Sequence, residues 1–135
     1  ASLEHLVFGD HFNRPIQAVV WPASLTRMTF GMSFNLPVDL VVWPSSLQRL
    51  TFGDRFNQPI ERVVWPASLY ALAFDSFKQP IRDVVWPDSL QHLTLGKHYN
   101  QPVCGVKWPT LLKHLAFGEH FDQTIDNVVW PASLR

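Results

Sequence analysis

Leu47 to Pro66 reads LQRLTFGDRFNQPIERVVWP, and the chain is that stretch written six times. The nearest copy runs from Leu25 to Pro44 (LTRMTFGMSFNLPVDLVVWP). The most degenerate runs from Leu111 to Pro131 (LLKHLAFGEHFDQTIDNVVWP). Trp-Pro closes each unit at Trp21, Trp43, Trp65, Trp86, Trp108 and Trp130, with spacings of 22, 22, 21, 22 and 22 residues. Self-similarity at such a period means a solenoid, in which each unit is one coil and buries its apolar edge only against its neighbours. The units are residues 1–22, 23–44, 45–66, 67–87, 88–109 and 110–131, with the start of a seventh at 132–135. Together they make a single repeat domain over 1–135.

Within a coil the apolar positions alternate. Leu6 and Phe8 flank Val7, and they recur as Met28 and Phe30, then as Leu50 and Phe52. A period of two is a strand with one buried face. Stacked coils would align these strands in a parallel sheet, with the intervening residues on its concave surface. One column there reads His5, Arg27, Arg49, Ala71, His92, His114, and the next reads Val7, Thr29, Thr51, Ala73, Thr94, Ala116. An L-x-x-L-x-(L/F) core at a period in the twenties is the signature of a leucine-rich repeat. The expected fold is a β-rich solenoid, a right-handed leucine-rich-repeat-like coil of six ~22-residue repeats with little or no α-helix.

The rest of the coil follows from residue type. Gly9, Gly31, Gly53, Gly96 and Gly118 mark a turn that needs positive φ or close backbone approach. Two aromatic columns flank it: Phe8, Phe30, Phe52, Phe74, Leu95, Phe117, and Phe12, Phe34, Phe56, Phe77, Tyr99, Phe121. Both point inward as parallel core spines. Asn13, Asn35, Asn57 and Asn100 form a column suited to bonding the backbone of adjacent coils. On the return leg, V-V-W-P, Lys107 replaces the middle valine, so that position faces solvent. Alternation then turns Val19 and Trp21 inward. Val20, Val42, Val64, Val85 and Val129 stand outward as an apolar ridge, which is either a second strand ladder or a covered surface. The fourth unit is one residue short, F-D-S-F for F-G-x-x-F, and a local kink is expected there.

These motifs resemble the FNIP-repeat, or FGxxFN-type, leucine-rich repeats, with F-G-x-x-F-N-Q-P-I of Phe52 to Ile60 fitting throughout and the match covering essentially all 135 residues. The resemblance implies a β-rich solenoid arc used for protein interaction. It implies no catalytic residues, because the family has none in common.

Composition narrows the function. Lys and Arg number 11 against 11 Asp and Glu, so nothing here is a basic footprint for nucleic acid. No run of 18 apolar residues offers a membrane span. Cys104 has no second cysteine to pair with. The single thiol, and the absence of a signal peptide from these residues, lean toward an intracellular setting. Ser24, Ser46, Ser68, Ser89 and Ser133 precede Leu in each W-P-x-S-L turn, where a hydroxyl bonds local backbone. No nucleophile elbow or recurring third group makes them part of a triad. His92 and His114, like His98 and His120, fall on neighbouring coils close enough to share a metal, with Glu119 and Asp122 nearby in sequence. The spacing lacks a third fixed ligand, and a ladder of stacked rings is the simpler reading.

The reading that results is a non-enzymatic leucine-rich-repeat scaffold without cofactor or metal, binding protein, further copies of itself included. The candidate partner-binding face is the concave column His5, Arg27, Arg49, His92 and His114. The alternative is a structural piece: coils stacked head to tail into a ring or filament, or an excerpt of a longer array. In that alternative Leu3, Phe8 and Phe12 at one end, and Phe117, Phe121 and Trp130 at the other, need further coils to cover them. The sequence opens on Ala1-Ser2-Leu3, inside the repeat, and closes on Ala132-Ser133-Leu134-Arg135 in the same phase.

Overall fold

A computed structural model describes residues 3–135, so Ala1 and Ser2 lie outside the described residues. Six strands follow one another: β1 (His5–Val7), β2 (Arg27–Thr29), β3 (Arg49–Phe52), β4 (Ala71–Phe74), β5 (His92–Thr94) and β6 (His114–Ala116). They pair in parallel, in sequence order, into one six-stranded sheet. There is no helix among the described residues. The repeat period sets the register, so that Arg27 pairs with Arg49 and Leu50 with Leu72. Each coil reverses direction at turns closed by backbone bonds three residues apart. In the first coil these are Phe12 N–H to Gly9 O, Val19 N–H to Ile16 O, and, at its junction with the second, Leu25 N–H to Pro22 O, all at 3.1 Å.

The inward columns pack as the alternation demands. Met28, Phe30, Leu50, Phe52, Leu72 and Phe74 are buried, as are Phe34, Phe56, Phe77 and Tyr99 across the turn. The spine across the turn is continuous from Phe12 to Phe121, and the one beside the sheet is interrupted at Leu95. Phe30 stacks on Phe52 at 5.2 Å and Phe52 on Phe74 at 5.3 Å, while Phe34 stacks on Phe56 at 6.0 Å. Trp43, Trp65, Trp86 and Trp108 are buried on the return leg, with Trp43 and Trp65 stacked at 6.3 Å. The same columns at the two ends, Phe8, Phe12 and Trp21, then Phe117, Phe121 and Trp130, are only partly buried, and Leu3 is exposed.

Coil spacing is thus not uniform. Ring centroids on neighbouring coils lie 4.6–5.3 Å apart along the phenylalanines beside the sheet and 5.8–6.3 Å apart at the tryptophans, whose Trp43 ring stands 6.4–6.5 Å from Phe52 and Phe30. The stacked rings are therefore closer on the strand side than on the tryptophan side, and the stack curves toward the sheet. The sheet lies on the concave face.

The return leg differs from the strand leg. Val20, Val42, Val64, Val85 and Val129 are exposed, but the legs form no second ladder. The glycine column is also resolved. Only Gly96 and Gly105 have positive φ, so Gly31 and Gly53 serve close approach: a Cβ on Gly53 would sit 2.3 Å from the Gly31 carbonyl oxygen.

The short fourth unit does more than kink. Ser76 is drawn inside, donates to Asp54 Oδ1 at 2.8 Å and bridges to Gly96. A Cβ on Gly96 would lie 2.3 Å from the Asp75 carbonyl oxygen, and here φ is +91°. The missing residue in one coil is accommodated by the left-handed glycine of the next.

Candidate functional site

The strand starts bring His5, Arg27, Arg49, His92 and His114 onto one face. Each is the first residue of its strand, and the pairings His5–Arg27, Arg27–Arg49 and His92–His114 hold them side by side on adjacent coils. All are exposed, because the residue that follows each of them points into the core.

The middle of this column is ordered by a residue that the repeat pattern alone does not single out. Tyr70 stands where other coils carry Glu4, Thr26, Gln48, Gln91 and Lys113. Arg49 Nε donates to the Tyr70 hydroxyl at 2.7 Å, and the guanidinium lies 5.1 Å from the centroid of the same ring. His92 meets Tyr70 edge-on at 6.2 Å and stacks on His114 at 4.7 Å. The break in the column at position 70 was the only sequence signal for this arrangement.

The local charge is positive and unbalanced. Among the described residues the one ion pair is His120 with Glu119, at 3.8 Å, away from this column. His92 is held below its ordinary pKa by partial burial first, then by the nearby charges of His114, Arg49 and Lys113. Beside the cationic rib runs a floor of small side chains, Thr29, Thr51, Ala73 and Thr94. An open trough of ≈ 690 Å³ covers part of it, with Asp10, Asp54 and Asp75 on the turn side. A smaller hollow of ≈ 180 Å³ lies between Arg49, Thr51, Ala73 and His92. Arg49 and His92 line the small hollow, whereas the trough beside it is lined by the three aspartates together with Lys97, and a face so divided suits an extended polar partner.

The other candidates resolve into structure. His98 and His120 approach to 4.8 Å with rings tilted by 33°. No group of three or more possible metal ligands exists among the described residues, around either histidine pair or elsewhere. The serines do not bond local backbone as expected. Ser46, Ser68 and Ser133 donate to the carbonyls of Leu25, Leu47 and Leu112, one coil earlier. Each W-P-x-S-L turn lies directly over the previous one, which places that carbonyl nearer than any in its own turn. The asparagine oxygens likewise act between coils, Asn13 Oδ1 accepting from Asn35 N–H and Asn35 Oδ1 from Asn57 N–H, both at 2.9 Å. The tryptophans pack rather than present. The indole N–H groups of Trp43, Trp65, Trp86 and Trp108 are buried without an acceptor, and Trp43 stands edge-on to Phe30 and Phe52 at 82°. Cys104 is free and exposed.

The FNIP Repeat family pattern matches residues 1–33, 12–55, 34–76 and 56–98. A solved structure described as "CroV588 a novel circular LRR protein structure" is similar over 98% of this chain, at 44% identity and a TM-score of 0.90. The chain spans 20% of the length of that protein. No curated protein matches it. Repeat folds of this kind generally serve as scaffolds for protein interaction rather than for catalysis. The repeat match and the parallel solenoid agree, and the chain belongs to the FNIP-repeat family of leucine-rich-repeat-like proteins.

Proposed function

We propose that this protein is a non-enzymatic scaffold whose concave sheet face receives a protein partner. The observation that carries the reading is where the repeat leaves its residues free. The inward columns are nearly invariant from coil to coil, whereas the strand-start column changes from His to Arg to Ala to His while staying on one exposed, continuous face. Interfaces favour arginine and aromatic residues, and Arg27, Arg49 and Tyr70 stand together there. The test is steric. Ala73→Trp places an indole in the small hollow beside Arg49 and His92 without entering the core. Binding of a purified natural partner should fall sharply in this variant, and Val64→Trp on the opposite side should leave it unchanged. Equal binding by both would move the interface off the sheet.

A second reading, in which the coils are an arc of a longer closed stack, is favoured by the likeness to a circular repeat protein. Six coils cover a fifth of the circular neighbour, whose length corresponds to about 30 coils of this size. Further coils, from the same chain or from another copy, would complete the arc. Electron microscopy of these six coils concatenated in tandem to about 30 should show closed rings. Straight rods would refute it.

A further inference from the structure

We infer that the partner presents an acidic segment to the concave face, and that Arg27 and Arg49, with Tyr70 as their anchor, form the rib that binds its carboxylates. The inference rests on the sheet-face reading and adds the chemistry of the occupant. Three observations support it. First, Arg27 and Arg49 are register partners on neighbouring strands, exposed, and without a carboxylate within ion-pair distance among the described residues. Two guanidinium groups held side by side repel, so an anion between them gains from both.

Second, Arg49 is already oriented. Its Nε is committed to the Tyr70 hydroxyl and its plane lies over the Tyr70 ring, which leaves the two terminal nitrogens free as a fork for a carboxylate. Fixing the side chain beforehand removes part of the ordering cost of binding. Third, the same bank continues past Tyr70 to the register pair His92 and His114, polar rings that can donate hydrogen bonds, with the Lys113 ammonium near enough to be felt at His92. Asp10, Asp54 and Asp75, offset only in part by Lys97, line the trough on the turn side, where their net negative charge would repel an acidic segment placed out of register. The groove thus selects both the charge of a partner and the bank on which it lies.

The probe is a fluorescein-labelled octaglutamate peptide, with octaglutamine as the uncharged control and an eight-residue oligothymidylate as the phosphate-bearing one. At about 20 mM salt, where screening is weak, octaglutamate should bind and octaglutamine should not. The double variant Arg27→Ala, Arg49→Ala should weaken octaglutamate by about tenfold or more. Tyr70→Phe keeps the ring but removes the hydroxyl anchor, and should weaken it by about threefold. Saturation with peptide should raise the midpoint of the His92 ring titration, followed by NMR, a shift that a purely structural role for the arginines would not produce. Circular dichroism identical to wild type establishes that the variants are folded. Octaglutamate affinity within about twofold of wild type in the double variant would overturn the inference. So would oligothymidylate binding more tightly than octaglutamate, which would make the rib a phosphate site. Either result leaves the sheet-face reading standing if Ala73→Trp still blocks the natural partner.

Discussion

Phe52 and Phe56 stack within one coil at 4.1 Å, their rings 20° apart, and this contact ties the two aromatic spines together. Phe56 is fully buried and also stacks on Phe34, Phe74 and Phe77 of the adjoining coils. Phe56→Ala therefore opens a cavity that backbone hydrogen bonds on both sides prevent from collapsing. The expected cost is about 3–5 kcal/mol, read from the urea midpoint. Hydrogen exchange should accelerate mainly in the third coil and its neighbours, because contacts in a solenoid reach no further. A loss below about 1 kcal/mol would mean that the ring is dispensable to the core.

Gly53 and Gly9 occupy the same place in their coils but not the same surroundings. A Cβ at Gly53 meets the Gly31 carbonyl, whereas one at Gly9 meets nothing within 4 Å. Neither has positive φ. Gly53→Ala should cost about 1–3 kcal/mol through overpacking of coil on coil, and Gly9→Ala should stay within about 0.5 kcal/mol. Equal costs would show that backbone conformation, not approach, fixes the glycine.

Much of this molecule was legible because one coil dictates the next. The strand alternation at Leu6 and Phe8, the exposed Val20 column and the inward tryptophans all follow from periods of two read six times. What the sequence left hidden depends on distances between coils. Whether V-V-W-P forms a ladder turns on how the return legs of neighbouring coils approach one another, which the residues do not encode locally. Whether Ser46 bonds its own turn or Leu25 turns on how one coil overlies another. The site was half visible: Arg27 and Arg49 stand out as variation within a fixed pattern, but Tyr70 acquires meaning only when Arg49 is seen to lie on it.

Asn35 joins three coils. Its side-chain oxygen accepts from Asn57 N–H at 2.9 Å and from Gln58 Nε2 at 3.0 Å, while its own N–H donates to Asn13. Asn35→Ala would leave the half-buried Asn57 amide without its acceptor, at a cost of about 1–3 kcal/mol. Asn35→Asp keeps the oxygen in place and should recover most of that loss. Thermal denaturation of both variants measures the difference; equal loss in the two would show that the cross-coil acceptor does not matter.

His92 makes the fold sensitive to acid. Its folded pKa lies below the ordinary 6.5. Well above pH 6.5 the imidazole is neutral in both states and contributes no slope. As pH falls through that value the unfolded chain takes up the proton first, so stability declines until the lower folded pKa is passed. Urea midpoints measured from about pH 7.5 to about pH 5 should fall, and His92→Gln should flatten part of that slope. An unchanged slope in the variant would assign the acid sensitivity to other groups.

Tyr99 interrupts a spine that is otherwise phenylalanine, stacking on Phe77 at 6.2 Å and on Phe121 at 6.4 Å. Its ring is fully buried, and its hydroxyl has no hydrogen-bond partner. Burial without a partner also pushes the phenol above its ordinary pKa, since the charged form would be still less tolerable there. A buried hydroxyl that has given up water for nothing costs about 1–3 kcal/mol. Tyr99→Phe removes that group, retains the ring, and matches the residue found at this place in the other five coils. The variant should therefore be more stable than the natural chain by about 1 kcal/mol, less the small void left by the oxygen. Its urea midpoint should rise with an unchanged denaturant slope. A fall in the midpoint would show that the hydroxyl finds an acceptor in solution, and an ordered water in the coil interior would then be the place to look.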